Sequence, residues 1–284
     1  MYDRILVPYD GSDGAAAILY HAAEIAHWAD ARISVLFVAD TNRDSVTVVI
    51  DDVVDGLVEQ GEQILTEAGE TLDSLGVDYR TDVIQGDPPR TISEYADRYD
   101  HDLIVMPTHG DEGLSKYLSR SVAEAVVGRA TVPVVVSRMQ PDEQLTFPYE
   151  TVVCATDGST SARDAADHGL ALAAALGASV HAVSVVESRG LGDTDAVDDD
   201  RASEAVEAIR TMAADYGVEE IVTAVEDGSP PEAIDDYVDA VGAHAVVMGT
   251  TGAHGVGERV FGSIAQRTAR VVSVPVLVVP EARD

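Results

Sequence analysis

The sequence predicts an α/β protein made of two tandem, open, doubly wound five-stranded parallel sheets, each flanked by four helices. Three observations carry this expectation. Short Val- and Ile-rich runs alternate with helical stretches. Those runs are apolar through most of their length, as in strands covered on both faces. The same order of signals occurs twice within 284 residues, a length with room for two domains.

In the first half the patterning places strands near 3–9, 32–39, 77–85, 102–107 and 132–137, and helices near 13–29, 52–75, 88–99 and 121–130. Ile5 to Ser12 then matches Val152 to Ser159, with Asp10 and Asp157 147 residues apart. Gly86-Asp87-Pro88-Pro89 matches Gly228-Ser229-Pro230-Pro231, and Thr131 to Val134 matches Ser273 to Val276, with Pro133 and Pro275 142 residues apart. The shortening falls between the second strand and the second helix, where insertions and deletions are tolerated. Duplication explains the order. The first domain is expected over residues 1–140 and the second over 148–284, joined by the aperiodic, proline-containing stretch Met139 to Glu150. Thr41 to Asp55 and Ser188 to Arg201 read as long acidic surface connections, with Asp198-Asp199-Asp200 a solvated run and not a metal cage.

The chain carries 51 acidic against 18 basic residues, a formal net charge of −33. Such a surface repels phosphate backbones and anionic lipids, which argues against nucleic-acid and membrane partners. It also repels itself, and salt with a Debye length of about 3 Å at 1 M would remove that cost, so a high-salt cytoplasm is expected. Disorder does not fit 46% hydrophobic residues in regular runs. Cys154 is the single cysteine, which excludes an internal disulfide. The N-terminus enters a strand directly, without signal-peptide features, and the uncharged run Gly169 to Val186 contains Gly177, Ser179 and His181 and reads as helix end, turn and strand. The histidines show no paired ligand spacing, and no catalytic residue is nominated.

Ligands of open α/β sheets bind beyond the carboxyl ends of strands, where strand order reverses. The second copy offers two such places. Ala155-Thr156-Asp157-Gly158-Ser159 ends a strand with a carboxylate that suits a ribose hydroxyl or a metal-bound phosphate, and equally an Asx turn or helix N-cap. Val246-Val247-Met248-Gly249-Thr250-Thr251-Gly252 runs into a glycine-rich loop, whose backbone is free to approach a ligand. Further on, Gly262-Ser263-Ile264-Ala265-Gln266 carries an S-x-x-Q capping box, expected to start a helix whose free amides attract phosphate. Neither a P-loop nor a dinucleotide fingerprint is present.

The pattern Gly249, Gly252, Gly262, Ser263 resembles the G-x2-G-x9-G-[ST] motif of ATP-binding members of the universal stress protein family. The resemblance covers nearly the whole of both halves and implies an adenine-nucleotide alpha hydrolase-like, Rossmann-like fold. By that resemblance Ala155, Thr156 and Asp157 face the adenosine, and Val185 lines the adenine pocket through its backbone. Met248 and Gly249 border the ribose. Thr251, Gly252, Gly262, Ser263 and Ile264 gather the phosphates of ATP, with AMP or ADP as alternatives and Mg2+ or Mn2+ as companion ion. The first copy departs from the motif with Met106-Pro107-Thr108-His109-Gly110 and Arg120-Ser121, losing two of three glycines. An empty first site is favoured there, Arg120 offering an altered anion grip as the alternative. The resemblance further implies a stress-responsive regulatory module of a halophilic archaeon with an unidentified protein partner, a slow ATPase or a dimerisation scaffold being the alternatives. Its fifth strands, Val132 to Ser137 and Val274 to Val279, would pair as an intramolecular pseudo-dimer, with a homodimer also open.

Overall fold

The computed structural model describes residues 1–40, 50–108, 119–138, 145–187, 196–250 and 262–282. The chain divides into two compact units, one built on Met1–Val135 and one on Leu145–Asp284. The first contains β1 (Arg4–Pro8), α1 (Asp13–Ala29), β2 (Arg32–Ala39), α2 (Ile50–Leu75), β3 (Tyr79–Gln85), α3 (Pro88–Arg98), β4 (Leu103–Pro107), α4 (Ser119–Val127) and the start of β5 (Val134–Ser137). The second contains β6 (Thr151–Ala155), α5 (Thr160–Leu176), β7 (Ser179–Val186), α6 (Ala196–Tyr216), β8 (Ile221–Asp227), α7 (Pro230–Val241), β9 (Ala245–Gly249), α8 (Ser263–Val271) and β10 (Val276–Val279). Strand order is β3-β2-β1-β4-β5 for the first half of the chain and β8-β7-β6-β9-β10 for the second, and the pairs β1–β2, β1–β4, β2–β3, β6–β7, β6–β9, β7–β8 and β9–β10 run parallel.

Burial explains the apolar strand sequences. Ile5, Leu6, Val7, Leu103, Ile104 and Val105 are wholly buried, as are Val152, Val153 and Val246 in the second unit. Each such side chain stabilises the fold by roughly 1.5–3 kcal/mol relative to exposure. Polar residues then mark where helices start. Ser12 and Ser159 accept from the amides of Ala15 and Ala162 at 3.2 Å, and Asp87 caps α3 through the amide of Arg90.

Three expectations need correction. α2 and α6 begin at Ile50 and Ala196, so both acidic segments enter helices well before their expected ends. Asp198 and Asp199 lie in the first turn of α6, where the positive end of the helix dipole favours carboxylates. Residues 41–49 and 188–195 lie outside the described residues. α4 begins at Ser119, two residues before the expected helix start at 121. Of the expected linker, residues 145–150 form neither helix nor strand, and the Tyr149 ring is buried against Phe147, with centroids 5.2 Å apart.

Candidate functional site

In the second unit β6 pairs with β7 on one side and β9 on the other, so strand order reverses between the ends marked by Ala155 and Gly249. The Thr156 amide donates to the Val183 carbonyl at 2.9 Å, which extends the sheet one step and buries Thr156. Its hydroxyl accepts from the Gly158 amide at 3.1 Å. Asp157 is exposed, and one carboxylate oxygen accepts from the Ser159 amide at 3.0 Å. This is an Asx turn, and Asp10 makes the same bond to the Ser12 amide at 3.0 Å. The structural role of this aspartate is therefore realised in both units. Val185 is half-buried on β7, near its carboxyl end.

Gly249 has a role that sequence reasoning missed. A Cβ here would meet the hydroxyl of Ser161 and lie 2.7 Å from its carbonyl carbon and oxygen, so glycine lets the first turn of α5 settle on the end of β9. Gly169 does the same further along, where a Cβ would come within 2.9 Å of Cys154 Sγ. These two glycines set α5 against the pair of strands that forms the site. No spacing motif signals either contact, since the partner lies across the sheet.

The strongest feature is the start of α8. The Gly262 amide donates to the Thr250 carbonyl at 2.7 Å, and the Thr250 amide donates to Val279 at 3.2 Å. The helix start is thereby tied to the end of β9. Gly262 is the N-cap, in extended conformation (φ −59, ψ 143), and its carbonyl accepts from the Gln266 amide at 2.9 Å. Ser263 is the first helical residue, so the expected S-x-x-Q capping box is not formed. The cap carries no side chain, and the first-turn amides have no capping hydrogen bond. Ser263 and Ile264 are exposed, and Met248 is buried in β9. Thr251 and Gly252 lie outside the described residues.

Sequence reasoning also missed a tether on α8. Arg267 Nη2 lies 3.1 Å from Glu232 Oε1 of α7, and Glu232 also accepts the Ser229 hydroxyl. The Ser229 hydroxyl first, then the Glu232 backbone amide and Arg267, hold the Glu232 carboxyl below its usual range. In the first unit Arg120 stands in the place of Gly262 but lies within α4, and Pro107 ends β4 where Gly249 ends β9. His109 and Gly110 lie outside the described residues.

Chemical reactivity is scarce among the described residues. Burial pushes the Cys154 thiol up to about 12 and the His168 imidazole down to about 4. Among the described residues no three His, Cys, Asp or Glu side chains could share a metal ion, and no helix is long and apolar enough to cross a membrane. The arrangement offers hydrogen-bond donors to an anion beside a strand-end carboxylate, which is the chemistry of binding.

The model of the universal stress protein family matches residues 1–138 and again 148–280. A universal stress protein of Methanocaldococcus jannaschii is 32% identical over 149 residues, spanning 50% of this chain and 86% of that protein. Another, of Methanothermobacter thermautotrophicus, is 33% identical over 132 residues, spanning 45% and 89%. The crystal structure of a universal stress protein from Archaeoglobus fulgidus matches with a TM-score of 0.77 at 24% identity, covering 99% of this chain and 97% of that one, a likeness of fold.

Proposed function

This chain belongs to the universal stress protein family, and on that premise we propose that its second unit binds an adenine nucleotide, ATP foremost with AMP or ADP as alternatives, as a nucleotide-responsive stress or regulatory module. The observation that carries the reading is the uncapped α8 start, held by Gly262 against the end of β9. First-turn amides without a side-chain cap and the helix dipole favour phosphate, and a glycine cap lets it approach closely. The adenosine would lie toward Ala155, Thr156, Asp157 and Val185, and the phosphates toward Gly262, Ser263 and Ile264. Asp157 supplies one carboxylate and no cage surrounds it among the described residues, so Mg2+ or Mn2+ would arrive as the counter-ion of the phosphates.

The module would bind its nucleotide without committed chemistry, slow hydrolysis being the alternative. It would work in a high-salt cytoplasm, where screening relieves its charge. Calorimetric titration of ATP with magnesium at molar KCl tests the reading. Wild type and Arg120→Gly are expected to bind, while Gly262→Arg loses binding because a long side chain enters the phosphate position. Absence of binding in wild type, together with no nucleotide released on denaturation, would leave a scaffold. Phosphate release that persists in wild type and stops in Gly262→Arg would make the protein a slow ATPase.

A further inference from the structure

A cavity of about 970 Å³ opens at the amino-terminal edge of the first unit's sheet, the end away from Asp10 and Pro107. Arg4, Arg32 and Arg80, from β1, β2 and β3, line it together with Arg98 and Tyr99 from the end of α3. These are four of the chain's 18 Lys and Arg residues. The duplicated positions of the second unit hold Thr151, Ser179, Val222 and Ala240, so the cationic edge belongs to the first unit.

Two of the four guanidiniums are committed. Arg32 directs Nε and Nη2 to Asp78 at 2.8 and 2.6 Å, and Arg4 Nη1 donates to the Tyr99 carbonyl at 3.0 Å and lies 3.4 Å from Asp100. Arg80 is held differently. Its Nε donates to Ser34 Oγ at 2.9 Å, and its guanidinium lies over the Tyr99 ring, 4.8 Å from the centroid. The Ser34 hydroxyl that accepts this bond also lies 2.8 Å from His101 Nε2, a buried imidazole kept neutral. The nearest carboxylate, Asp82 at 3.9 Å, is engaged by the Tyr95 hydroxyl. The Nη groups of Arg80 and the guanidinium of Arg98 make no hydrogen bond to the described residues.

Three helices end around this cavity, and their carbonyl ends would oppose an anion. Those ends are closed by their own backbone, through Ala31 to Ala26 at 2.9 Å, Val77 to Leu72 at 3.2 Å and His101 to Ala96 at 2.9 Å. We propose that the cavity is a second ligand site, which takes a small phosphate-class dianion between Arg80 and Arg98. Planar guanidiniums with free Nη donors recognise such oxyanions bidentately. Asp3 and Asp30 on the same lining repel extended polyanions, so the occupant is compact. Inorganic phosphate and a phosphate monoester share this chemistry.

The test is 31P NMR titration of the full chain with inorganic phosphate and, separately, ribose 5-phosphate, at molar KCl. Saturable binding that Arg98→Gln weakens about tenfold or more, and Arg98→Lys partly restores, is expected. Tighter binding of the sugar phosphate would identify a monoester as occupant, and equal or weaker binding the free ion. Failure of both probes to saturate in wild type overturns the site, as does indifference to both Arg98→Gln and Arg80→Gln. Loss in Gly262→Arg with retention in Arg98→Gln would place the oxyanion at α8 and overturn this site while supporting the nucleotide reading.

Discussion

At Gly249 the strand end and the first turn of α5 touch backbone to backbone. Gly249→Ala drives a methyl to within 2.7 Å of the Ser161 carbonyl, and overpacking of this kind costs about 1–3 kcal/mol. A urea denaturation midpoint should fall accordingly, and Ser161→Gly in the same chain should recover part of the loss. The first unit shows the converse pairing in its sequence, with Pro107 at the strand end and Gly14 at the helix position. Titration gives a second expectation at this scale. Burial holds His101 and His168 at about 4 against 6.5 in the unfolded chain. The unfolded state therefore binds more protons between these values, and stability rises with pH across that window. It is lost as pH falls from 6.5 toward 4. His168→Gln should flatten this slope relative to wild type in denaturant melts at pH 4.5 and 7, and an unchanged slope would contradict a buried neutral imidazole.

Among elements, α8 differs from α1, α3 and α5 in lacking a capping side chain. Gly262 has an ordinary negative φ of −59, so a larger residue fits its backbone. Gly262→Asp should add a cap and a favourable charge at the dipole's positive end, raising stability by a few tenths of a kcal/mol to about 1. The same carboxylate would occupy the amides and repel phosphate, so ATP affinity should drop at least tenfold. Paired melting and calorimetry on this variant would separate the two effects. A melt that falls, or an affinity that holds, would show that the helix start is not an open anion site. Stability and binding trade against each other here because the first-turn amides of Ser263, Ile264 and Ala265 receive no side-chain cap.

For the whole molecule, 51 acidic residues on 284 create a self-repulsion that screening removes. The melting temperature should climb as KCl rises from about 0.1 M into the molar range, where the Debye length shortens from about 10 Å to about 3 Å. A melting temperature independent of KCl over that span would remove the basis for expecting a high-salt cytoplasm. The exposed pairs Arg32–Asp78, Arg90–Glu94 and Arg267–Glu232 would contribute little under those conditions, since surface ion pairs are screened by salt.

By itself the sequence determined the βα alternation, the duplication and the position of the strand-end aspartates, because apolar periodicity and turn chemistry act over a few neighbouring residues. It also marked Gly249, Gly262 and Ser263. It misplaced the cap of α8 and ended the acidic connections too late, because helix limits depend on which amides find partners. The Thr250 to Gly262 bond decides the first. Only the tertiary structure paired Gly249 with Ser161, tied Glu232 to Arg267, and gathered four arginines from β1, β2, β3 and α3 around one cavity. Those contacts join residues far apart in the chain, and a single sequence carries no signal for distances that only folding creates.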